Sequence, residues 1–147
     1  MRNLLLAFAL LATLGCAGPA GKPVQTSVTG DALYRNLGGT EGITRVVDAF
    51  LPRVNGDARI NGLFLKVDHD DLRHLIIEQL CTATGGPCTY TGRSMQEAHS
   101  GLNLTNADFN AFVEDLVAAM DQVKVRKTSQ RELLALLAPM RMQIVGQ

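Results

Sequence analysis

The sequence predicts an all-α fold, on three observations. Apolar residues recur at i, i+3, i+4 and i+7 along the stretches 43–54, 72–83, 109–123 and 133–144. Helix punctuation is explicit: Gly38-Gly39 and Gly85-Gly86-Pro87 are stops, and Ser94/Glu97, Thr105/Asp108 and Ser129/Glu132 are reciprocal capping pairs. No alternating apolar and polar run of a half-buried strand competes with them. Residues 31–147 have the length of one domain with one core.

What precedes that domain reads as an address and a tether. Met1-Arg2-Asn3 is a short positive opening, and Leu4 to Leu14 is almost purely apolar. Such a run is too short to cross a bilayer comfortably and has the charge order of a secretory signal. It ends in Ala12-Thr13-Leu14-Gly15-Cys16, which resembles a bacterial lipoprotein cleavage box, although Thr13 stands where leucine is usual. The resemblance implies that residues 1–16 are a signal peptide with Cys16 lipidated. The expectation is export to the periplasmic side of a bacterial membrane on a lipid anchor. A plain signal peptide with a cysteine near its cut is the alternative. Residues 17–30 are small, polar, Gly- and Pro-containing, and form a flexible tether.

The helices follow in order. Asp31 opens a short one through Leu37, closed by Gly38-Gly39; Thr40 is then the expected cap of the next. That second helix places Ile43, Val46, Val47, Phe50 and Val54 on one face, with Pro52 expected to kink it beside Leu51. A turn-rich connector, 58–64, carries Leu63 and Phe64. The third helix aligns Leu72, Leu75, Ile76, Leu80 and Ala83, with Gln79 in the same stripe, and stops at Gly85-Gly86-Pro87. Past a short fourth helix, Thr105 caps a run with Phe109, Phe112, Val113, Leu116, Met120 and Val123 on one face. Ser129 is the expected cap of a last helix bearing Leu133, Leu136, Leu137, Met140 and Ile144.

Chemistry concentrates in the fourth helix. Beyond the Ser94/Glu97 cap, Met95, His99 and Leu102 fall at i, i+4 and i+7, so a histidine interrupts an apolar stripe. Its ring nitrogens cannot be buried unbonded without cost. A backbone carbonyl would satisfy one, as in many core histidines. Haem iron, which takes a single protein histidine as its axial ligand, is the functional alternative. Lys+Arg and Asp+Glu balance at 14 each and no basic cluster appears, which argues against a nucleic-acid partner.

The order of these pieces resembles the group 1 truncated haemoglobins across nearly all of residues 31–147. The resemblance rests on Leu33-Tyr34-Arg35-Asn36-Leu37-Gly38-Gly39, Val46-Val47-Asp48-Ala49-Phe50, and Gly85-Gly86-Pro87. It continues in Tyr90-Thr91-Gly92-Arg93-Ser94-Met95, Glu97-Ala98-His99 and Leu137-Ala138-Pro139. It implies a two-over-two helical sandwich around haem b, with His99 as the proximal iron ligand and Phe64 packed on the porphyrin. By the same matching, Met95, Ala98, Leu104, Phe112 and Leu137 belong to the proximal side and floor. Leu72, Leu75, Gln79 and Leu80 belong to the distal side, and Tyr90 lies near a propionate. The CxxCH attachment motif is absent, so the haem is expected to be non-covalent.

The distal side departs from the family. Relatives usually place a tyrosine at the position of Leu51 and often glutamines at those of Leu72 and Ile76, which donate hydrogen bonds to the gas ligand. All three are aliphatic here, leaving Gln79 as the polar member of the stripe, either turned inward or reaching to the pocket edge. His74 lies about 160° around the helix from Leu72 and should face away, whereas His69 lies about 60° from it and is a candidate sixth ligand, with a solvated surface histidine the default reading for both. Cys81 is expected on the outer face of the third helix, where an oxidising compartment would let it pair with Cys88.

The resemblance therefore implies a protein that binds a diatomic gas (oxygen, carbon monoxide or nitric oxide), for oxygen carriage or gas buffering, with an unidentified reductase as a further partner. Catalysis of the nitric oxide dioxygenase or peroxidase kind is the enzymatic alternative. A haem-binding or haem-trafficking lipoprotein is the third.

Overall fold

The computed structural model describes residues 30–147. The expected signal segment, Cys16 and nearly all of the expected tether, 17–29, lie outside the described residues. Seven α-helices run in order: α1 (Ala32–Asn36), α2 (Gly39–Gly56), α3 (His69–Ala83), α4 (Met95–His99), α5 (Asn106–Gln122), α6 (Lys127–Leu137) and α7 (Arg141–Ile144). Two 3₁₀ turns, Asn61–Phe64 and Ala138–Met140, complete the set, and no strand occurs among the described residues.

The central helix is α2, which packs on both α5 and α3. Its apolar stripe is the core: Ile43, Val46, Val47, Phe50 and Val54 are all buried, against Leu116, Ala119 and Met120 of α5 and Leu80 of α3. Phe50 meets Phe112 edge to face, with ring centroids 4.7 Å apart. That is the favoured aromatic arrangement and ties α2 to α5 where the functional cavity begins. The corner between α1 and α2 is equally tight. A Cβ on Gly42 would stand 1.9 Å from the Leu37 carbonyl oxygen, so the approach of the two helices excludes any side chain there.

Several local expectations give way to tertiary packing. Thr40 does not cap α2; the helix starts at Gly39 behind left-handed Gly38, and Thr40 bonds the Tyr34 hydroxyl instead. The helix keeps Pro52 inside it and runs on to Gly56, as the apolar period through Val54 predicts. Ser129 does not cap α6 either: it is buried inside a helix that already begins at Lys127. The competing contact is Gln130, whose amide donates to Asp121 and to the Val125 carbonyl and draws the helix start forward. The last helix is also not continuous. It breaks into a 3₁₀ turn at Pro139, whose ring removes a backbone donor, and resumes as α7.

Cys81 sits on the inner side of α3, 0 % exposed, rather than on its outer face. It forms a disulfide with half-buried Cys88, with Cα atoms 5.8 Å apart. Cys81 belongs to the same buried cluster as the α2 stripe, so α3 is covered there as well as along the cavity.

Candidate functional site

A cavity of about 330 Å³ opens between the helices, and the periodicities of the surrounding elements explain who lines it. From α3 come Leu72, Leu75, Ile76, Gln79 and Leu80, spaced i, i+3, i+4, i+7 and i+8. From the short α4 and the turn after it come Met95, Ala98, His99 and Leu102, at i, i+3, i+4 and i+7. Phe109, Phe112, Val113 and Leu116 of α5 form the floor, and Leu137, Met140 and Ile144 close the far side. Phe64, Tyr90 and Leu104 complete the predicted set, so all twelve predicted cofactor-contact residues line one cavity.

Leu51 is the exception among the predicted distal residues. It is 9 % exposed within the core and does not line the cavity; its neighbour Phe50 does. Successive helical residues point about 100° apart, and here that turn carries Leu51 into the packed core instead of the space. Edge-to-face packing on Phe112 turns Phe50 toward it.

His69 also lies off the cavity wall. It is exposed at the start of α3, with Nδ1 3.5 Å from the Asn55 amide nitrogen. His74 faces outward and pairs with Glu78. Among the described residues, no group of three or more His, Cys, Asp or Glu could hold a metal ion.

His99 is half-buried, and its Nδ1 lies 2.6 Å from the carbonyl oxygen of Met95, one helical turn back. A carbonyl only accepts, so Nδ1 carries the proton. In the neutral ring the lone pair is then left on Nε2. This is the arrangement by which proteins fix the tautomer and orientation of a metal-binding imidazole. The helix that presents it is started by a complete capping box. The Ser94 hydroxyl accepts from the Glu97 amide, and the Glu97 carboxylate accepts from the Ser94 amide.

Few polar groups enter the rest of the cavity. Gln79 turns inward, its amide nitrogen 3.1 Å from Met95 Sδ and 3.5 Å from Met140 Sδ. Thioethers are weak acceptors, so this donor can take a better partner when one arrives. Asp108 lines the cavity with its carboxylate already committed to the Thr105 amide and hydroxyl. The Tyr90 hydroxyl donates to the Arg93 carbonyl, and burial pushes its phenol up from the ordinary value, keeping it protonated. Exposed Leu63, Val67, Asp71, Arg93 and Leu102 form the mouth. Ile60, Val67 and Arg93 were not predicted as site residues, because they lie in irregular segments with no apolar period to reveal them.

The carboxylates around this frame give a pH expectation. The Ser94 hydroxyl and amide hold Glu97 below its ordinary 4.5, and the Thr105 amide and hydroxyl hold Asp108 below 3.8. Thr91 does the same for Glu78, and Arg59 for Asp57. Groups depressed in the fold stabilise it above their unfolded pKa values and lose that contribution as pH falls through the folded ones. Asp115, pushed up by burial and then by Asp57, works in the opposite sense and offsets part of the loss. Thermal unfolding is therefore expected to be nearly flat from neutrality to about pH 5 and to fall steeply below about pH 4. Calorimetry across that range is the check; a midpoint that holds steady to pH 3 would show that the caps carry no such linkage.

A single imidazole facing a largely apolar slot between helices is the setting in which a globin holds haem. Comparison with known proteins makes the class specific. The family model for bacterial-like globin matches residues 32–146. A group 1 truncated hemoglobin of Tetrahymena pyriformis is 31 % identical over 114 residues, covering 78 % of this chain and 94 % of that protein. The group 1 truncated hemoglobin GlbN of Synechocystis is 37 % identical over 107 residues, covering 70 % and 86 % respectively. Among solved structures, the Fe(III) form of the Tetrahymena pyriformis protein superposes with a TM-score of 0.76 at 30 % identity, over 78 % of this chain and 98 % of that one. The Synechococcus 2/2 hemoglobin, solved in the cyanomet state with covalently attached heme, gives 0.73 at 26 % identity, over 78 % and 98 %. The chain belongs to the bacterial-like globins, as a group 1 truncated haemoglobin with the all-α two-over-two fold. Its cofactor is haem iron, and its general activity is haem-based gas binding.

Proposed function

We propose that this protein reversibly binds a diatomic gas at a haem held by His99, in a pocket whose distal wall is aliphatic, and that it works as an exported oxygen carrier or gas buffer. The observation that carries the reading is the Met95 carbonyl on His99 Nδ1, which leaves Nε2 as the ligating atom and fixes the plane of the ring. Haem iron supplies the gas-binding position. The chain supplies everything around it: Phe109, Phe112 and Leu116 exclude water from below, and Leu72, Leu75 and Ile76 do so from α3. Gln79 is the inward-facing donor, and Arg93 at the mouth supplies a cation suited to a porphyrin carboxylate.

The test is an absorption spectrum of the full chain, reduced and then exposed to carbon monoxide. A five-coordinate ferrous band that shifts sharply with carbon monoxide is expected. A six-coordinate low-spin spectrum before the gas is added would overturn the open pocket and bring an internal ligand such as His69 back into play.

Export on a lipid anchor at Cys16 is part of the same proposal, supported by the Met1–Cys16 pattern. Cys16→Ser is expected to abolish the acyl mass increment and partition into detergent. An unmodified cysteine in the membrane-extracted protein would sink the anchor and leave the globin reading intact.

A further inference from the structure

We propose that the Cys81–Cys88 disulfide is a redox-operated clasp, which holds the loop leading to His99 against α3, so that reduction by an external dithiol loosens the haem. The inference rests on the haem-holding role of the cavity proposed above and adds a means of regulating it.

The helix that carries His99 cannot hold itself in place. With five residues it is far shorter than the length at which helices persist alone, so its position depends on what ties down its ends. On one side it packs against α7. On the other, its approach is the 84–94 loop, and that loop is bound to α3 at successive points. Gly86 N–H donates to the Cys81 carbonyl, and the Thr82 hydroxyl donates to that of Cys88. Further along, the Glu78 carboxylate accepts from the Thr91 amide and hydroxyl at 2.9 and 2.7 Å. Arg93 and the Ser94 cap of α4 follow at once.

The disulfide is the covalent member of this set. It joins α3, just after the cavity residue Leu80, to the loop that carries Tyr90 and Arg93, so it ties one wall of the cavity to the lead-in of the other. The turn it spans has no slack. A Cβ on Gly86 would lie 2.6 Å from Cys81 Sγ and 2.6 Å from the Tyr34 ring, so the backbone passes directly over the bond.

Burial also sets the direction of exchange. Cys81 is fully buried and Cys88 is half-buried, so an incoming thiolate reaches Cys88 Sγ. The S–S bond breaks, Cys81 leaves as thiolate and takes a proton, and a mixed disulfide remains on Cys88. The second thiol of the reductant then displaces Cys88 and closes its own disulfide. Two electrons and two protons have passed from the dithiol to the protein, and the reverse sequence with an oxidised dithiol restores the clasp.

The experiment compares the oxidised full chain with the same chain reduced by dithiothreitol, with thiol titration confirming two new thiols. Haem transfer to apomyoglobin is followed on ferric protein, and amide exchange at Thr91 and Glu97 is followed on haem-free protein. Reduction is expected to speed haem loss about tenfold, the low end of what outer supports of a metal ligand are worth. It is also expected to raise exchange at both amides, and reoxidation should reverse both changes. Cys88→Ser should behave as the reduced protein and ignore the dithiol; if it does not fold, the paired change Cys81→Ala with Cys88→Ala takes its place. Unchanged haem loss after confirmed reduction overturns the clasp, as does a variant that loses haem no faster than the oxidised wild type. An oxidised chain that takes up no haem removes the haem reading and the regulation with it, whereas failure of the clasp alone leaves haem uptake normal.

Discussion

His99→Ala is expected to leave a folded helical domain that no longer retains haem through gel filtration, with loss faster by more than about 100-fold. Outer supports of a metal ligand are commonly worth 10- to 100-fold, and removing the ligand itself should exceed them. Folding should survive because His99 is only half-buried and lies outside the main core, and alanine is the best helix former available for its position. The substitution leaves space where the imidazole stood, so added imidazole should restore the ferrous spectrum. Rescue matters more than loss, since a collapsed cavity would also lose haem but could not be repaired by a small molecule. A variant that keeps the wild-type spectrum without imidazole would show that another residue holds the iron.

The features that sequence reading located best were those decided within a few residues. The Ser94/Glu97 and Thr105/Asp108 caps are closed by groups three positions apart, and both form as expected. The stripe on α3 was legible for the same reason: period alone places Leu72, Leu75, Ile76, Gln79 and Leu80 on one face, and one cavity receives them all. Ser129 looked like an equal cap, but Asp121 and the Val125 carbonyl compete through Gln130, and Asp121 belongs to the preceding helix. Neighbours on a helix pose the same problem at finer scale. Nothing local decides between Phe50 and Leu51; the crossing with Phe112 does. An amphipathic reading allows a helix one buried side, whereas α3 buries Cys81 in the core cluster in addition to the stripe that lines the cavity.

The position of Leu51 moves the test of the distal wall to Leu72 and Ile76, which do line the cavity. Oxygen bound at haem carries partial negative charge, and a donor beside it in a low-dielectric pocket is worth about 1 to 3 kcal/mol. Wild type should therefore release oxygen quickly. Leu72→Gln or Ile76→Gln is expected to slow dissociation about tenfold or more, since each 1.4 kcal/mol is a factor of ten. Carbon monoxide carries less charge and should respond less, which separates hydrogen bonding from simple obstruction; Leu72→Met supplies the control for shape. Stopped-flow release of oxygen from the ferrous protein is the measurement. Slow release from the unmodified protein would contradict an apolar distal wall and point to Gln79, whose amide already faces the cavity with thioether sulfurs for partners. Gln79→Leu would then speed release. If it does not, the donor lies elsewhere, and the aliphatic wall is not what governs the gas.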